Sequence, residues 1–359
     1  MGDAIKGRGS TGYLPGRFEV TVSQAVDDGW MQEEEAEFAA GPLRTHVTEE
    51  RARSVISRND SPDIPFSQSL NPYRGCEHGC SYCFARPSHA YLGLSPGLDF
   101  ETRILAKTNA PEVLRRELSK PGYRPSPIAL GINTDAYQPI ERKLELTRRI
   151  IEVLAETRHP FSLITKNALV LRDVDLLAPL ARENLVRVFL SVTTLDNRLS
   201  SVLEPRASAP HARLKTIAGL REHGIPVGAM FAPVIPWVND AELEAVLEAV
   251  RDAGADSAGY VLLRLPHEVS PLFREWLQTH LPDRAAHVMS TINQLRGGKD
   301  YDASFGRRMR GQGVYADLLA KRFALVTKRL GLDQRRASSL DTTRFVPPRP
   351  DSPQGELFR

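Results

Sequence analysis

The chain has very few cysteines. Among its 359 residues there are three, Cys76, Cys80 and Cys83. So small and odd a number cannot form a disulfide framework, and a reducing compartment would not maintain one. Because all three lie within eight residues of each other, we expect them to serve a metal site or a thiol redox site.

Long apolar runs are also missing. No stretch approaches the roughly 20 apolar residues that a membrane-spanning helix needs, and the N-terminus lacks the apolar segment of a secretory signal. We therefore expect a cytoplasmic protein with no membrane partner. The chain also lacks a large excess of one charge, with 47 Lys and Arg against 44 Asp and Glu. A hydrophobic fraction of 41% excludes global disorder and a fibrous chain.

What the chain does contain is an alternation of short apolar runs with amphipathic segments. The apolar runs span 127–132, 161–165, 186–192, 227–232 and 257–263, and helical periodicity covers 141–158, 210–224 and 241–254. This alternation predicts βαβ units and a parallel sheet. With one further strand at 67–73 there are six units. We therefore predict an α/β fold, a partial (β/α)6 TIM-like barrel with an N-terminal extension and a basic helical C-terminal segment.

Composition divides the chain into four parts. We predict an N-terminal extension at 1–65 with loops and one short helix, the partial barrel at 66–295, a basic helical segment at 296–345 and a flexible tail at 346–359. Between residues 296 and 336 there are eleven Lys and Arg against four Asp and Glu. A helix is predicted over 313–331, and Gly224 and Gly254 are predicted to end the helices before them.

The basic segment has two interpretations. With its aromatic residues it could bind DNA or RNA through charge and stacking. A solvated helix that covers the open side of the barrel explains the same composition. The acidic stretch Glu33–Glu37 could also pair with it.

The cysteines lie in NPYRGCEHGCSYCFARP, with the spacing Cys-x3-Cys-x2-Cys. Three thiolates so spaced can ligate three irons of a [4Fe-4S] cluster and leave the fourth iron open to a substrate or cofactor. Gly75 and Gly79 permit the turns of such a loop, and aromatic neighbours can partly shield it: Tyr73, Tyr82 and Phe84.

Two other interpretations of the loop stay open. His78 or His89 could complete a Cys3His zinc site, although a second pair of ligands is missing from the sequence. The protein would then be a zinc-stabilised nucleic-acid-binding module without radical chemistry. Cys80 and Cys83 also have thioredoxin-like spacing, which leaves Cys76 unexplained.

This cysteine spacing, with Tyr82 before the third cysteine at the end of the first strand, resembles the radical S-adenosylmethionine (SAM) superfamily. The resemblance implies a [4Fe-4S] cluster whose open iron binds S-adenosyl-L-methionine. It also implies reductive cleavage to a 5′-deoxyadenosyl radical that abstracts hydrogen from a substrate. An electron donor such as flavodoxin or ferredoxin would serve as partner.

Within that superfamily, residues 66–265 resemble the spore photoproduct lyase branch, and the chain resembles a bacterial subgroup related to it. The segments that carry this likeness are 164–167, 190–194 and 203–236. One departure matters. The lyase returns hydrogen from a cysteine near the end of its second strand, where this chain has Ile132 or Asn133. Thymine-dimer repair by the same chemistry is therefore disfavoured.

Polar residues at the carboxyl ends of barrel strands face the mouth, where ligands bind. Thr134 and Asp135 follow the second strand, Lys166 follows the third and Ser191 ends the fourth. Lys166 could neutralise the cofactor carboxylate or only extend its ammonium to solvent. Asp135 could contact ribose or substrate, or cap a helix. Ser191 could bind ribose or carboxylate, or be satisfied by backbone.

The resemblance implies further cofactor contacts. Arg213 and Glu204 belong near the cofactor carboxylate, and the backbone of Ala232, Pro233 and Tyr82 belongs near adenine. From sequence alone Arg213 could equally be a surface charge. Catalytic residues stay unassigned, with three candidate hydrogen donors in place of the missing thiol: Tyr137, Tyr260 and Tyr315. The leading hypothesis is a radical SAM enzyme with a reaction of its own, acting on nucleic acid, a small molecule or a protein.

Overall fold

The computed structural model describes residues 5–19, 43–333 and 339–348. The acidic stretch Glu33–Glu37 and most of the predicted tail, 349–359, lie outside the described residues. The strands are β1 (His46–Glu49), β2 (Ile56–Arg58), β3 (Gln68–Leu70), β4 (Tyr73–Arg74), β5 (Arg103–Ala106), β6 (Ile128–Leu130), β7 (Phe161–Thr165), β8 (Val186–Ser191), β9 (Val227–Val234) and β10 (Ser257–Leu262).

Helices cover most of the intervening chain. They are α1 (Leu98–Thr102), α2 (Ala110–Leu118), α3 (Glu141–Leu144), α4 (Leu146–Glu156), α5 (Val174–Arg182), α6 (Asn197–Leu203), α7 (Pro210–Glu222), α8 (Leu243–Asp252), α9 (Val269–His280), α10 (Pro282–Leu295) and α11 (Val314–Leu330). No helix in the described ranges is both long and apolar enough to cross a bilayer.

The main sheet has the strand order β10-β9-β8-β7-β6-β3-β2. From β10 to β3 every neighbouring pair is parallel, and β2 adds an antiparallel strand to β3. The predicted α/β fold with six parallel strands is confirmed, and the described strands form an open sheet. A second sheet, β1-β5-β4, was not predicted.

Side-chain alternation explains how the sheet is packed. In β7, Phe161 and Leu163 are buried under the helices, while Ser162 and Ile164 are half-buried on the inner face. The strand β8 alternates in the same way. Since all six parallel strands run in one direction, their carboxyl ends meet at one edge, where a site can form from several loops.

Helix boundaries follow local backbone chemistry. The predicted helix at 141–158 is divided at Glu145, which has φ of 48°. The buried Glu141 carboxylate accepts the amide of Thr147 at 3.0 Å, so α4 starts with a cap of its own. Gly224 and Gly254 have φ of +71° and +104° just after α7 and α8, as predicted.

The C-terminal segment covers the edge of the last strand. The carbonyls of Met309 and Leu332 accept the amides of Leu262 (2.9 Å) and Ala258 (3.0 Å), two positions of β10. The following helix α11 packs on α8 through two ion pairs, Arg322–Glu244 and Arg329–Glu248. An edge strand paired in this way is protected from association with other chains.

Candidate functional site

The cysteine loop follows β4 of the second sheet, shortly after β3 of the main sheet ends. The Cys76 amide donates to the carbonyl of Phe100 at 2.9 Å, and the Cys83 amide donates to the carbonyl of Cys80 at 3.2 Å. Gly75 and Gly79 have φ of +81° and +65°. A Cβ atom on Gly75 would lie 2.9 Å from the Phe100 carbonyl oxygen, so a side chain has no room there.

The three thiols lie in surroundings that favour a bound cation. Cys76 and Cys80 are 7% and 8% exposed, and Cys83 is more open. Burial raises the pKa of the Cys80 thiol to about 12 and the pKa of Cys76 well above its ordinary value. A thiolate in such a place needs a metal to compensate its charge.

The described residues do not form the ligand set of a single zinc ion. Across the described residues, no three His, Cys, Asp or Glu side chains lie close enough to share a single ion. The two histidines considered as zinc ligands have other partners, since His78 pairs with Asp135 at 3.3 Å and His89 contacts the Arg103 carbonyl at 3.0 Å. In a [4Fe-4S] cluster each thiolate binds a different iron. The zinc alternative therefore finds no support.

A wholly buried ion pair anchors the loop from behind. The Arg86 guanidinium donates to the Cys80 carbonyl at 2.9 Å, to the carbonyls of Pro96 and Gly97, and to the Glu101 carboxylate at 2.5 Å. Both side chains have no solvent exposure. The pair was not predicted because Glu101 lies 15 positions after Arg86, beyond the cysteine segment.

Residues 8–17, here called the N-terminal strap, lie against this anchor. The amides of Gly9 and Ser10 donate to the Glu101 carboxylate at 3.0 and 2.9 Å. A Cβ atom on Gly9 would lie 1.6 Å from the Gly79 carbonyl oxygen, so the strap touches the cysteine loop itself. At its other end the Arg17 amide donates to Glu268, just before α9. The strap therefore connects the loop after β4 with the loop after β10.

Glu204 binds two of the other predicted cofactor residues, Tyr82 and Arg213. Its carboxylate accepts the hydroxyls of Tyr82 and Thr193 and pairs with Arg213. Burial would raise the pKa of Glu204, but the cations of Arg213 and Lys166 outweigh burial and lower it to about 2. Tyr82, expected to act through its backbone, thus also fixes a buried carboxylate.

The Arg213 guanidinium binds groups of the protein itself. Besides Glu204, it donates to the carbonyls of Ser191 at 3.0 Å and Ser208 at 2.6 Å. These bonds join α7 to the end of β8. We infer that Arg213 organises the site beside the cysteine loop rather than meeting a ligand directly.

Lys166 is a cation with unused donors. It follows β7, its ammonium lies 5.9 Å from the centre of the Tyr82 ring, and in the described structure it donates no hydrogen bond. Burial lowers the pKa of Lys166, yet the negative charges of Cys80 and Glu204 raise it above its ordinary value. A charged ammonium next to the cysteine loop is therefore available for a carboxylate.

Asp135 and Thr134 have protein partners. Asp135 accepts the Thr165 hydroxyl at 2.7 Å and the Lys166 amide at 2.8 Å, and pairs with His78. Against the effect of burial, these groups lower the pKa of Asp135 to about 2. The Thr134 hydroxyl donates to the Tyr73 carbonyl at 2.9 Å. Both residues tie the loop after β6 to neighbouring strand ends.

Ala232 and Pro233 lie in β9, as expected, and a residue that was not predicted fixes their strand end. The Asn239 amide donates to the carbonyls of Thr193 at 2.7 Å and Pro233 at 3.0 Å, and its oxygen accepts the Ile235 amide at 2.7 Å. Asn239 is completely buried. A lone Asn in a turn carries no sequence signal of such a role.

The three tyrosines considered as hydrogen donors are dispersed. Tyr137 is completely buried and donates to Asp173 at 2.9 Å. Tyr315 lies on α11 and donates to Asp240. Tyr260 is buried in β10, where its ring packs 4.6 Å from Phe323, centre to centre. The structure does not bring them together with the cysteine loop as a group.

Residues 70–250 match the model of the radical SAM superfamily. The chain belongs to the radical SAM superfamily. An uncharacterised protein of Mycobacterium tuberculosis is 36% identical over 286 residues, which cover 79% of this chain and 81% of that protein. One of Methanocaldococcus jannaschii is 30% identical over 192 residues, 54% of this chain and 69% of that protein.

Solved structures agree on the fold. Spore photoproduct lyase complexed with dinucleoside spore photoproduct has a TM-score of 0.54 at 14% identity, with 79% of each chain covered. A variant of that lyase with bound S-adenosylmethionine and the same dinucleoside gives 0.54 as well, at 14% identity, covering 79% of this chain and 78% of that one. These structures show the fold, which resembles the partial barrel of the lyase. The family match of residues 70–250 makes the protein an enzyme of the radical SAM class.

Proposed function

We propose that Cys76, Cys80 and Cys83 hold a [4Fe-4S] cluster and that S-adenosylmethionine binds at the carboxyl ends of β7, β8 and β9. When bound, the cluster would supply the electron for reductive cleavage of S-adenosylmethionine to methionine and a 5′-deoxyadenosyl radical, which would take a hydrogen atom from the substrate. The observation that carries the proposal is the set of buried thiols beside a lysine ammonium with unused donors.

The chain's own residues divide the work. The Lys166 ammonium would bind the cofactor carboxylate, since charge-assisted hydrogen bonds are strong in a buried site. Glu204 and Arg213 hold the ends of β8 and α7 together around it. Asn239 keeps the backbone at Pro233 in place, where main chain can meet adenine.

The inner face of the sheet offers a wall for the substrate. Four successive strands, β7 to β10, each place a half-buried apolar side chain on this face: Ile164, Phe189, Met230 and Val261. Such a face excludes water from a radical while leaving space in front of it. We propose that the substrate lies against this wall.

The reaction would differ from that of the lyase. All three cysteines belong to the one loop, so no thiol is left to return a hydrogen atom. Asn133 lies at the strand end where the lyase has its hydrogen-returning cysteine. It is exposed, and its backbone amide donates to the side-chain oxygen of Asn71 at 2.9 Å. We propose a substrate whose radical is completed without a protein thiol.

Binding of S-adenosylmethionine to the anaerobically reconstituted protein tests the role of Lys166. Lys166→Met should weaken binding by about tenfold to a hundredfold, because it removes a buried charged hydrogen bond of about 1.5–3 kcal/mol. The matched control is Lys321→Met, an exposed lysine on α11. Equal affinity in both variants would show that Lys166 does not meet the cofactor.

Nucleic-acid binding by residues 296–336 stays a proposal, as does reduction by a flavodoxin or ferredoxin. Several arginines of the segment serve the fold, since Arg308, Arg322 and Arg329 pair with carboxylates of this chain. Exposed cations of the segment, such as Lys299, Arg307 and Lys328, would contact phosphates. DNA or RNA affinity that stays level between low and moderate salt would count against this proposal.

A further inference from the structure

An arginine stands at the carboxyl end of the last barrel strand, next to the cysteine loop. Arg264 follows β10, and its guanidinium lies 4.8 Å from the centre of the Phe84 ring. Phe84 directly follows Cys83 and is 37% exposed. The stacked pair therefore borders both the cysteine loop and the mouth of the barrel.

Arg264 forms no salt bridge among the described residues. Its two guanidinium contacts are long, 3.4 Å to the Tyr301 hydroxyl and 3.8 Å to the Met309 sulfur. Its Nε atom is buried and has no acceptor. A buried N–H without an acceptor is costly, so the Nε atom needs an acceptor such as a water, an ion or a ligand group.

A second arginine, Arg310, directly follows Met309, whose sulfur Arg264 contacts. The Arg310 guanidinium lies 3.9 Å from the centre of the Tyr260 ring, and within the described chain it too forms no ion pair. The bond from the Leu262 amide to the Met309 carbonyl, 2.9 Å, fixes this loop to β10. Both guanidinium groups are thus held on aromatic rings beside one strand.

The neighbouring carboxylates are engaged elsewhere. Asp63 binds Arg308 at 2.5 Å, and Asp300 binds Arg274 at 2.6 Å. A third cation, Arg296, is buried and donates only to the carbonyls of Leu263 and Arg307. Asp302, which accepts the Ser304 amide at 2.9 Å, offsets part of this charge, and the three arginines leave this corner of the mouth positive.

We propose that Arg264 and Arg310 form a subsite for an oxyanion group of the substrate, a phosphate or a carboxylate, with the Phe84 ring as its apolar wall. Arginine presents donors in a planar fork that matches both oxyanions. That the oxyanion belongs to the substrate rests on the proposed function. The subsite would hold the anionic end of the substrate at the mouth while the rest lies on the inner wall.

Calorimetric titration of the reconstituted holoenzyme tests the subsite, with pyrophosphate as the phosphate probe and succinate as the carboxylate probe. We expect saturable binding of one of them. Arg264→Gln and Arg310→Gln should each weaken it by about tenfold, and Arg264→Lys by less, since it keeps the charge but loses the fork. The control is Arg329→Gln on α11. Arg329 is exposed and pairs with Glu248 of α8, so this variant should bind the probe as the wild type does.

The probe that binds identifies the oxyanion. Lack of saturable binding, or binding that all variants share, would overturn the subsite. If Arg264→Gln does not fold, Arg264→Lys and Arg310→Gln decide. Formation of 5′-deoxyadenosine by the wild type is followed in the same preparations. Probe binding without that product contradicts the proposed function alone, and product without probe binding contradicts the subsite alone.

Discussion

Substitution of the buried Arg86–Glu101 pair is the strongest single test of how the cysteine loop is held. Arg86→Met removes the guanidinium that binds Cys80 O, Pro96 O, Gly97 O and the Glu101 carboxylate. The Glu101 carboxylate would stay buried with only the amides of Gly9 and Ser10. Breaking a buried pair in this way costs about 3–5 kcal/mol.

That loss is large enough to measure by thermal unfolding. For a chain of 359 residues about 1 kcal/mol corresponds to about 1.3 °C, so the Tm of Arg86→Met should fall by about 4–7 °C. Since Arg86 also holds the Cys80 carbonyl, iron bound per chain after anaerobic reconstitution should fall as well. Glu101→Gln should lower both quantities by similar amounts.

The double variant separates pairing from packing. Arg86→Met with Glu101→Gln should cost less than the sum of the single variants, by about 0.5–3 kcal/mol, because neither charge is then left alone. Arg329→Met, at an exposed pair with Glu248, should change the stability by less than about 1 kcal/mol. Single variants as stable as this control, or fully additive effects, would refute the anchoring role.

Three further predictions concern the strap, a strand end and pH. Gly9→Ala places a Cβ atom against the Gly79 carbonyl and should cost about 1–3 kcal/mol in thermal unfolding and reduce iron loading, whereas Gly12→Ala, with open space around it, should change neither. Asn239→Ala leaves buried backbone groups unpaired and should lower the Tm and weaken S-adenosylmethionine binding; unchanged affinity would show that this strand end is not used. Burial lowers the pKa of His159 in the folded chain to about 4, whereas in the unfolded chain His159 has its ordinary pKa of about 6.5. Between these two pH values the unfolded chain binds a proton that the folded chain does not. About 3 kcal/mol of stability should therefore disappear as pH falls from about 6.5 to 4, and His159→Gln should flatten that profile in chemical denaturation.

Local patterns predicted the parts of this protein that depend on neighbours in sequence. The cysteine spacing, the turn glycines and the strand ends that carry Lys166 and Ser191 are of this kind, since periodicity and spacing determine them. The strands of the second sheet were missed because runs of two to four residues contain too little alternation to recognise.

Long-range partners account for most of what sequence reasoning missed. Gly9 and Glu101 are 92 positions apart, and Tyr82 and Glu204 are 122 positions apart. Their pairing follows from the fold and leaves no signal at either position alone. Arg213 illustrates the same limit, because its neighbourhood was expected but its commitment to Glu204 and two carbonyls was not.

The central claim is that this chain cleaves S-adenosylmethionine with a cluster held by three cysteines. The most direct measurement is chromatographic detection of 5′-deoxyadenosine after anaerobic incubation of the reconstituted protein with S-adenosylmethionine and a strong reductant. We predict product from the wild type together with cluster absorption near about 400 nm, and loss of both in Cys80→Ala. A loaded wild type that forms no 5′-deoxyadenosine, or a Cys80→Ala variant that still does, would contradict the account.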